Sequence, residues 1–267
     1  MRQLIAFPCA GETLVGTLDA APGATGLLIV SGGNEIRAGA HRGMAMLAAR
    51  VAAAGHPVFR FDRRGVGDSS GENGGFRSSG PDIAAAAEIF RRHGVPRLIG
   101  FGNCDAASAL ALFGRAAGLD GLLLANPWVV EPADDLPPPA AIRARYAARL
   151  RDPAAWRRLL TGGVSLTGAA RGIARVAGPG SGEKTDLLSA IAGWPDARVL
   201  LARGDATALA YADAAKRRPM PPVTILDTAS HSFADAADAL VEAVIAALIR
   251  SSAKNTDGGG SYPPLES

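Results

Sequence analysis

Three residues stand out for the chemistry their types and order would support: Cys104, Asp205 and His231. Cys104 lies in "LIGFGNCDAASAL", where a strand-like apolar run meets a helix-forming tail. Gly102 and Ala106 stand two positions to either side of it, and Ala107 follows. A nucleophile on a sharp strand-to-helix turn needs small neighbours of this kind, because its backbone is strained and the two elements come close. The helix N-terminus favours a thiolate there. Asp105 works against it, since an adjacent negative charge disfavours the thiolate. The plain alternative is a buried structural cysteine, a common use of a lone thiol.

A thiol nucleophile needs a base, and the base needs an orienting acid. Of His41, His56, His93 and His231, only His231 follows the turn. The expected chain order on such sheets is nucleophile, acid, histidine. Asp205, in "LLARGDAT", fills the acid slot just past a strand, ahead of its rivals Asp196 and Asp227. Asp205 also reads as the N-cap of the next helix. His231 also reads as a loop histidine capping the last one. Taken as a unit, the three predict acyl transfer through a thioester on Cys104.

Such a reaction needs two N–H groups aimed at one oxygen. The backbone N–H of Asp105 is one candidate. Gly33, in "SGGNEIRAGAHRG", supplies the other, with Asn34 as its near alternative. An ordinary glycine turn would look the same. Asn34, Arg37, His41 and Trp128 are the expected substrate contacts, although core is the commoner role for Trp128 and His41 reads equally well as a polar residue at a helix start. No metal site is expected, because the histidines are scattered and no ligand spacing appears. No cofactor is expected either: "GVGDSSG" lacks the lysine of a phosphate-binding loop.

These residues must be carried by a scaffold. The opening "MRQLIAFPCAGE" reads as a strand. After it, "TGLLIVSGG", "HPVFRFD", "PRLIGFG", "DGLLLANP", "ARVLLARGD" and "PVTILD" read as strands. Helical patterns fill the gaps: His41 to Gly55, Pro81 to Gly94, Cys104 to Gly118, "ALAYADAAKRR", and Phe233 to Arg250. That alternation predicts a mostly parallel sheet with helices on both faces. Residues 128–194 break it and read as an inserted cap. The core is then 1–127 with 195–250, and 251–267 reads as a disordered tail. In the cap, "RARYAARLRDPAAWRR" (Arg143 to Arg158) holds six arginines and one aspartate. It is either a solvated face or a seat for an acidic, carrier-linked substrate.

The bulk numbers agree with an enzyme-sized domain. The chain has 267 residues, 48% hydrophobic, with a net charge of +3. That mild excess and the few aromatics do not suggest a nucleic-acid partner. Two cysteines, Cys9 and Cys104, make no disulfide framework and suit a reducing, cytoplasmic setting. No transmembrane run is visible.

The elbow, Asp205, His231 and the glycine loop resemble the α/β-hydrolase superfamily over about residues 2 to 250. So does "FDRRGVGDSSG", which matches the superfamily's D-x-R-G-x-G-x-S turn with Asp62, Arg64, Gly65, Gly67 and Ser69. The resemblance implies an α/β-hydrolase fold with an inserted cap. More narrowly, "GNCDAASA", "GGNEIRAGAHR" and "ANPWV" resemble the type-one hydrolases associated with the exosortase A system. Those are encoded beside exopolysaccharide genes, which implies a setting and not a reaction. Two departures matter: cysteine replaces the usual serine, and Ala106 replaces the usual glycine. Cysteine points to thioesters and activated esters, as in the similar dienelactone hydrolases. Hydrolysis, acyl transfer to a sugar hydroxyl, and a non-catalytic binding role are the three functions in play.

Overall fold

The computed structural model describes residues 1–129 and 183–256. The Arg143 to Arg158 stretch, Trp156 and most of the 128–194 insert lie outside the described residues.

The chain opens on a hairpin of β1 (Arg2–Cys9) and β2 (Glu12–Asp19), paired antiparallel with Cys9 opposite Glu12. Ala10 and Gly11 form its two-residue turn, both at positive φ (50° and 86°), the geometry that matches strand twist. β2 is not visible as a strand in the sequence, because Gly16 interrupts its alternation. The glycine is there because the Phe59 ring occupies the place a Cβ would take, 2.3 Å away.

Strand and helix then alternate: β3 (Thr25–Val30), α1 (Gly43–Ala53), β4 (Val58–Phe61), α2 (Gly80–Arg92), β5 (Arg97–Asn103), α3 (Asp105–Phe113) and β6 (Gly121–Ala125). After the insert come α4 (Glu183–Ala192), β7 (Ala197–Ala202), α5 (Ala206–Ala215), β8 (Val223–Leu226) and α6 (Ala237–Thr256). The eight strands lie in the order β1-β2-β4-β3-β5-β6-β7-β8, parallel from β4 onward. The expected parallel sheet with helices on both faces is the observed architecture.

The central strands are mostly apolar because both of their faces are covered. Successive residues of β3 point to opposite sides. Leu28 and Val30 join Phe59, Phe61, Phe90 and Leu110 under α2 to α5. Leu27 and Ile29 join Met44, Val51, Phe101, Val244 and Leu248 under α1 and α6. Leu187, Leu188, Ile191 and Trp194, from α4 and the turn after it, pack into the first of these cores. That part of the insert interval is therefore scaffold. α6 runs on to Thr256, into the stretch that reads as tail in the sequence.

Every parallel strand leads, at its C-terminal end, towards a loop used by the site or its supports, the edge strand β8 running into the loop that carries His231. This is where crossover topology leaves a crevice. The D-x-R-G turn after β4 braces that end. The buried Asp62 carboxylate accepts from the Arg37 N–H at 2.5 Å and the Asp68 N–H at 3.1 Å, and pairs with the Arg37 guanidinium. Ser69 bonds the Asp62 carbonyl and receives the Val15 N–H, tying the turn to β2.

Ala10 holds a left-handed conformation that costs an L-residue with a Cβ about 1 kcal/mol. Ala10→Gly is expected to raise the unfolding free energy by up to about that amount, read as a higher urea midpoint by circular dichroism. An unchanged or lower midpoint would contradict the turn assignment.

Candidate active site

Cys104 stands between β5 and α3 with φ 59° and ψ −123°, a conformation rare outside glycine. Backbone bonds from both sides hold it there. Its N–H donates to the Ala125 carbonyl at 2.9 Å, and its carbonyl accepts from Ala107 and Trp128, each at 3.1 Å. The small-neighbour requirement is visible directly. A Cβ on Gly102 would come within 2.8–2.9 Å of the backbone of Ala106 and Ala107. Ala106 therefore suffices where glycine is usual, since the close approach is made by backbone.

His231 and Asp205 arrive from the ends of two other strands. Asp205 follows β7, its Oδ1 accepting the Ala208 N–H at 2.9 Å as N-cap of α5. Its Oδ2 holds His231 Nδ1 at 2.9 Å. Asp205 thus divides its two oxygens: one caps a helix and the other bonds the His231 ring. Asp227 bonds the exposed Arg203, and Asp196 bonds Arg97 and Ser251, both away from His231.

The loop carrying His231 is pinned through its backbone. Its carbonyl accepts from Asn103 at 3.0 Å and from Asn126 at 3.2 Å. Asn126 is fully buried, and its Oδ1 takes the Ala202 N–H at 2.9 Å. One side chain thus stitches β6, β7 and the histidine loop together. Sequence reasoning passed over Asn126, although an amide at the end of the buried run "GLLLA" was the available signal. Two residues further on, Phe233 is buried at positive φ and anchors the loop to the α1–α6 side.

The His231 ring is held by Asp205 through Nδ1 and shares one cavity with the Cys104 thiol. Asp205 contributes most, Cys104 next, and burial opposes them; the net result is a pKa pushed up to about 10. For Asp205, burial is the largest single influence and acts upward. The bonds from His231 and from the helix N–H groups outweigh it and hold the acid below its usual value. The histidine's shift stabilises the fold fully below its ordinary pKa of 6.5 and is lost as pH rises through about 10.

Cys104, Asp105 and His231 line one open cavity of about 420 Å³ with Gly33, Asn34 and Trp128. Glu35, Phe76, Asn103 and Gly32 complete it. Arg37 and His41 stand elsewhere. Arg37 bonds Thr17, Asp62 and Asp68 in a second cleft, and His41 lines a third beside Ser232 and Phe233. Asn34 accepts from Asn73 at 2.7 Å. The Gly33 N–H, the expected oxyanion donor, is engaged by both oxygens of the Asp105 carboxylate at 3.0 Å. Gly33 is held from behind, its carbonyl accepting from the buried Arg63 at 2.5 Å and from Asn73 at 3.3 Å.

Comparison with solved structures gives this arrangement a context. The α/β hydrolase GrgF from Penicillium matches 95% of this chain and 99% of its own, at 16% identity and a TM-score of 0.64. An esterase from Pyrococcus furiosus matches 94% and 91%, at 13% identity and 0.62. The chain has the α/β-hydrolase fold. A thioesterase domain from the curacin biosynthetic pathway also matches, over 92% and 99%, at 13% identity and 0.56. No protein-family model matches the chain, and no curated protein does. At these identities the fold is shared and the chemistry must be argued from the site. Among the described residues, no helix is long and apolar enough to cross a membrane.

The electrostatic account fixes an order of effects. In a titration of the His231 ring followed by NMR, the midpoint should lie near 10. Asp205→Asn should lower it most and Cys104→Ala less. A midpoint near 6.5 in the intact protein would contradict the assigned hydrogen bonds.

Proposed function

We propose that the protein cleaves activated esters or thioesters through Cys104, His231 and Asp205. The observation that carries this reading is the His231–Asp205 bond of 2.9 Å beside a cysteine held at positive φ, with Cys104 and His231 lining one cavity. An imidazole whose pKa is near 10 holds its proton at neutral pH. In this mechanism the Cys104 sulfur attacks as a thiolate paired with the His231 imidazolium, and the N-terminus of α3 supports its charge.

In the first half-reaction the sulfur forms a bond to the acyl carbon, and the carbonyl π pair moves to oxygen. Collapse restores the carbonyl and breaks the bond to the leaving group, which takes the proton from His231. In the second, neutral His231 removes a proton from water as the water oxygen bonds the acyl carbon. The carbon–sulfur bond then breaks, freeing a carboxylic acid and returning the thiolate and imidazolium. Asp205 orients the ring throughout and stabilises its charge. The Asp105 N–H, in the first turn of α3, points its free valence at the developing oxyanion.

Two finer readings belong with this one. The similarity to exosortase A system-associated hydrolases suits a role beside exopolysaccharide metabolism, with a small-molecule or carrier-linked acyl donor in the cytoplasm. Transfer of the acyl group to a sugar hydroxyl uses the same intermediate, with the hydroxyl replacing water.

Iodoacetamide is the direct test of the thiol. Cys104 should be alkylated at neutral pH, with loss of thioesterase turnover. Cys9 should resist, being buried, bonded to Asp82 at 3.4 Å and pushed up to about 11, chiefly by burial. Cys104→Ala should lower turnover by roughly a thousand-fold or more. A Cys104→Ala protein with full turnover would sink the mechanism.

A further inference from the structure

We propose that Asp105 makes this site selective for acyl groups that carry an ammonium next to the scissile carbonyl, the α-aminoacyl esters and thioesters. The inference rests on the Cys104 mechanism above and names the substrate class for it.

The Asp105 carboxylate accepts the Gly33 N–H, 3.0 Å to each oxygen. Gly33 is the donor best placed, across the cavity, to meet a substrate carbonyl held by the Asp105 N–H. A carboxylate on that donor blocks it and repels the oxyanion that must form there. An oxyanion hole with an acid seated in it is a poor one for a plain ester.

The loop cannot turn away to relieve the clash. Its carbonyl is gripped by Arg63 and Asn73, and the Glu35 N–H closes a turn on the Gly32 carbonyl at 2.9 Å. Gly32 leaves no room either: a Cβ there would lie 2.3 Å from Asp105 Oδ1. Arg63 is buried behind the loop, and its charge attracts that of Asp105. The glycine loop is thus held in place, and it is the Asp105 side chain that the substrate must draw off Gly33.

A substrate shifts such a contact only by what it offers in exchange. A propionyl or acetyl group offers nothing. An α-ammonium sits one carbon from the scissile carbonyl, within reach of a carboxylate moving off the neighbouring N–H. The ion pair replaces the lost hydrogen bond and releases Gly33 for the oxyanion. Of the rest of the wall, Glu35 adds a second carboxylate and Trp128 an aromatic ring, while the Phe76 ring already carries the Arg77 guanidinium, 5.3 Å from its centroid. His231 is the one cationic side chain among the described lining residues, and its charge is already matched by Asp205.

The test compares two isosteric thioesters, glycine S-benzyl thioester and S-benzyl thiopropionate. Each kcat/KM is divided by that compound's own uncatalysed rate, which removes the intrinsic activation by the ammonium. The wild-type protein should prefer the glycyl compound by roughly ten-fold or more. Asp105→Asn and Asp105→Ala should bring the ratio near one, mainly by raising propionyl turnover. A wild-type ratio at or below one overturns the proposal whether or not the variants fold, as does a ratio unchanged in both. Iodoacetamide labelling of Cys104 separates the two claims. If Cys104 is labelled and neither thioester is turned over, the substrate class fails and the thiol chemistry stands. If Cys104 is not labelled, the mechanism fails and this inference with it.

Discussion

The structure turns on one backbone conformation, that of Cys104 at φ 59°. A residue with a Cβ occupies this region only at a cost of about 1–3 kcal/mol. The surroundings meet that cost from three directions. β6 accepts the Cys104 N–H, the segment after β6 returns the Trp128 N–H to the Cys104 carbonyl, and α3 begins on the same carbonyl. In exchange, the sulfur stands clear of both elements, at a helix N-terminus and beside His231. The parallel sheet is what makes the geometry affordable, because it brings the ends of β5, β6 and β7 side by side.

From this turn the site spreads through few bonds. Asn103, the residue before Cys104, donates to the His231 carbonyl, and Asn126 donates to both. The histidine loop is therefore registered against Cys104 by two amide side chains and not by Asp205 or the His231 ring. Asp205 is fixed by capping α5, so the acid that orients the ring is itself immobilised by helix formation. On the opposite wall, Arg63 and the Asp62–Arg37 pair hold the glycine loop and the turn after β4. The D-x-R-G segment is structural by this account. It braces the wall facing Cys104 without entering the cavity.

Much of this was legible in the sequence, for identifiable reasons. The elbow announces itself because only small residues fit between β5 and α3. Asp205 and His231 follow from chain order, since each must leave the C-terminal end of a strand. Most of the parallel strands show as apolar runs because both faces are buried; Arg60 interrupts β4, and the edge strand β8 is largely exposed. What escaped depends on contacts between distant segments. β2 is hidden by Gly16, whose reason is the Phe59 ring. Asn126 acts through partners that come together only in the fold. Arg37 and His41 follow the glycine loop in sequence, but the chain carries them into other clefts. The Asp105 carboxylate was weighed only as a neighbour of the thiol, and its bond to Gly33 depends on the fold of a loop 72 residues away.

The central claim is that acyl groups pass through the Cys104 sulfur. Mixing the protein with a short activated thioester, quenching in acid and mapping the added mass by peptide sequencing reads this directly. One acyl group on the peptide that contains Cys104, absent from Cys104→Ala and persisting longer in His231→Ala if it forms there, is the predicted result. An acyl group carried on another residue, or turnover of the same thioester with no acylated Cys104 at any quench time, would contradict it.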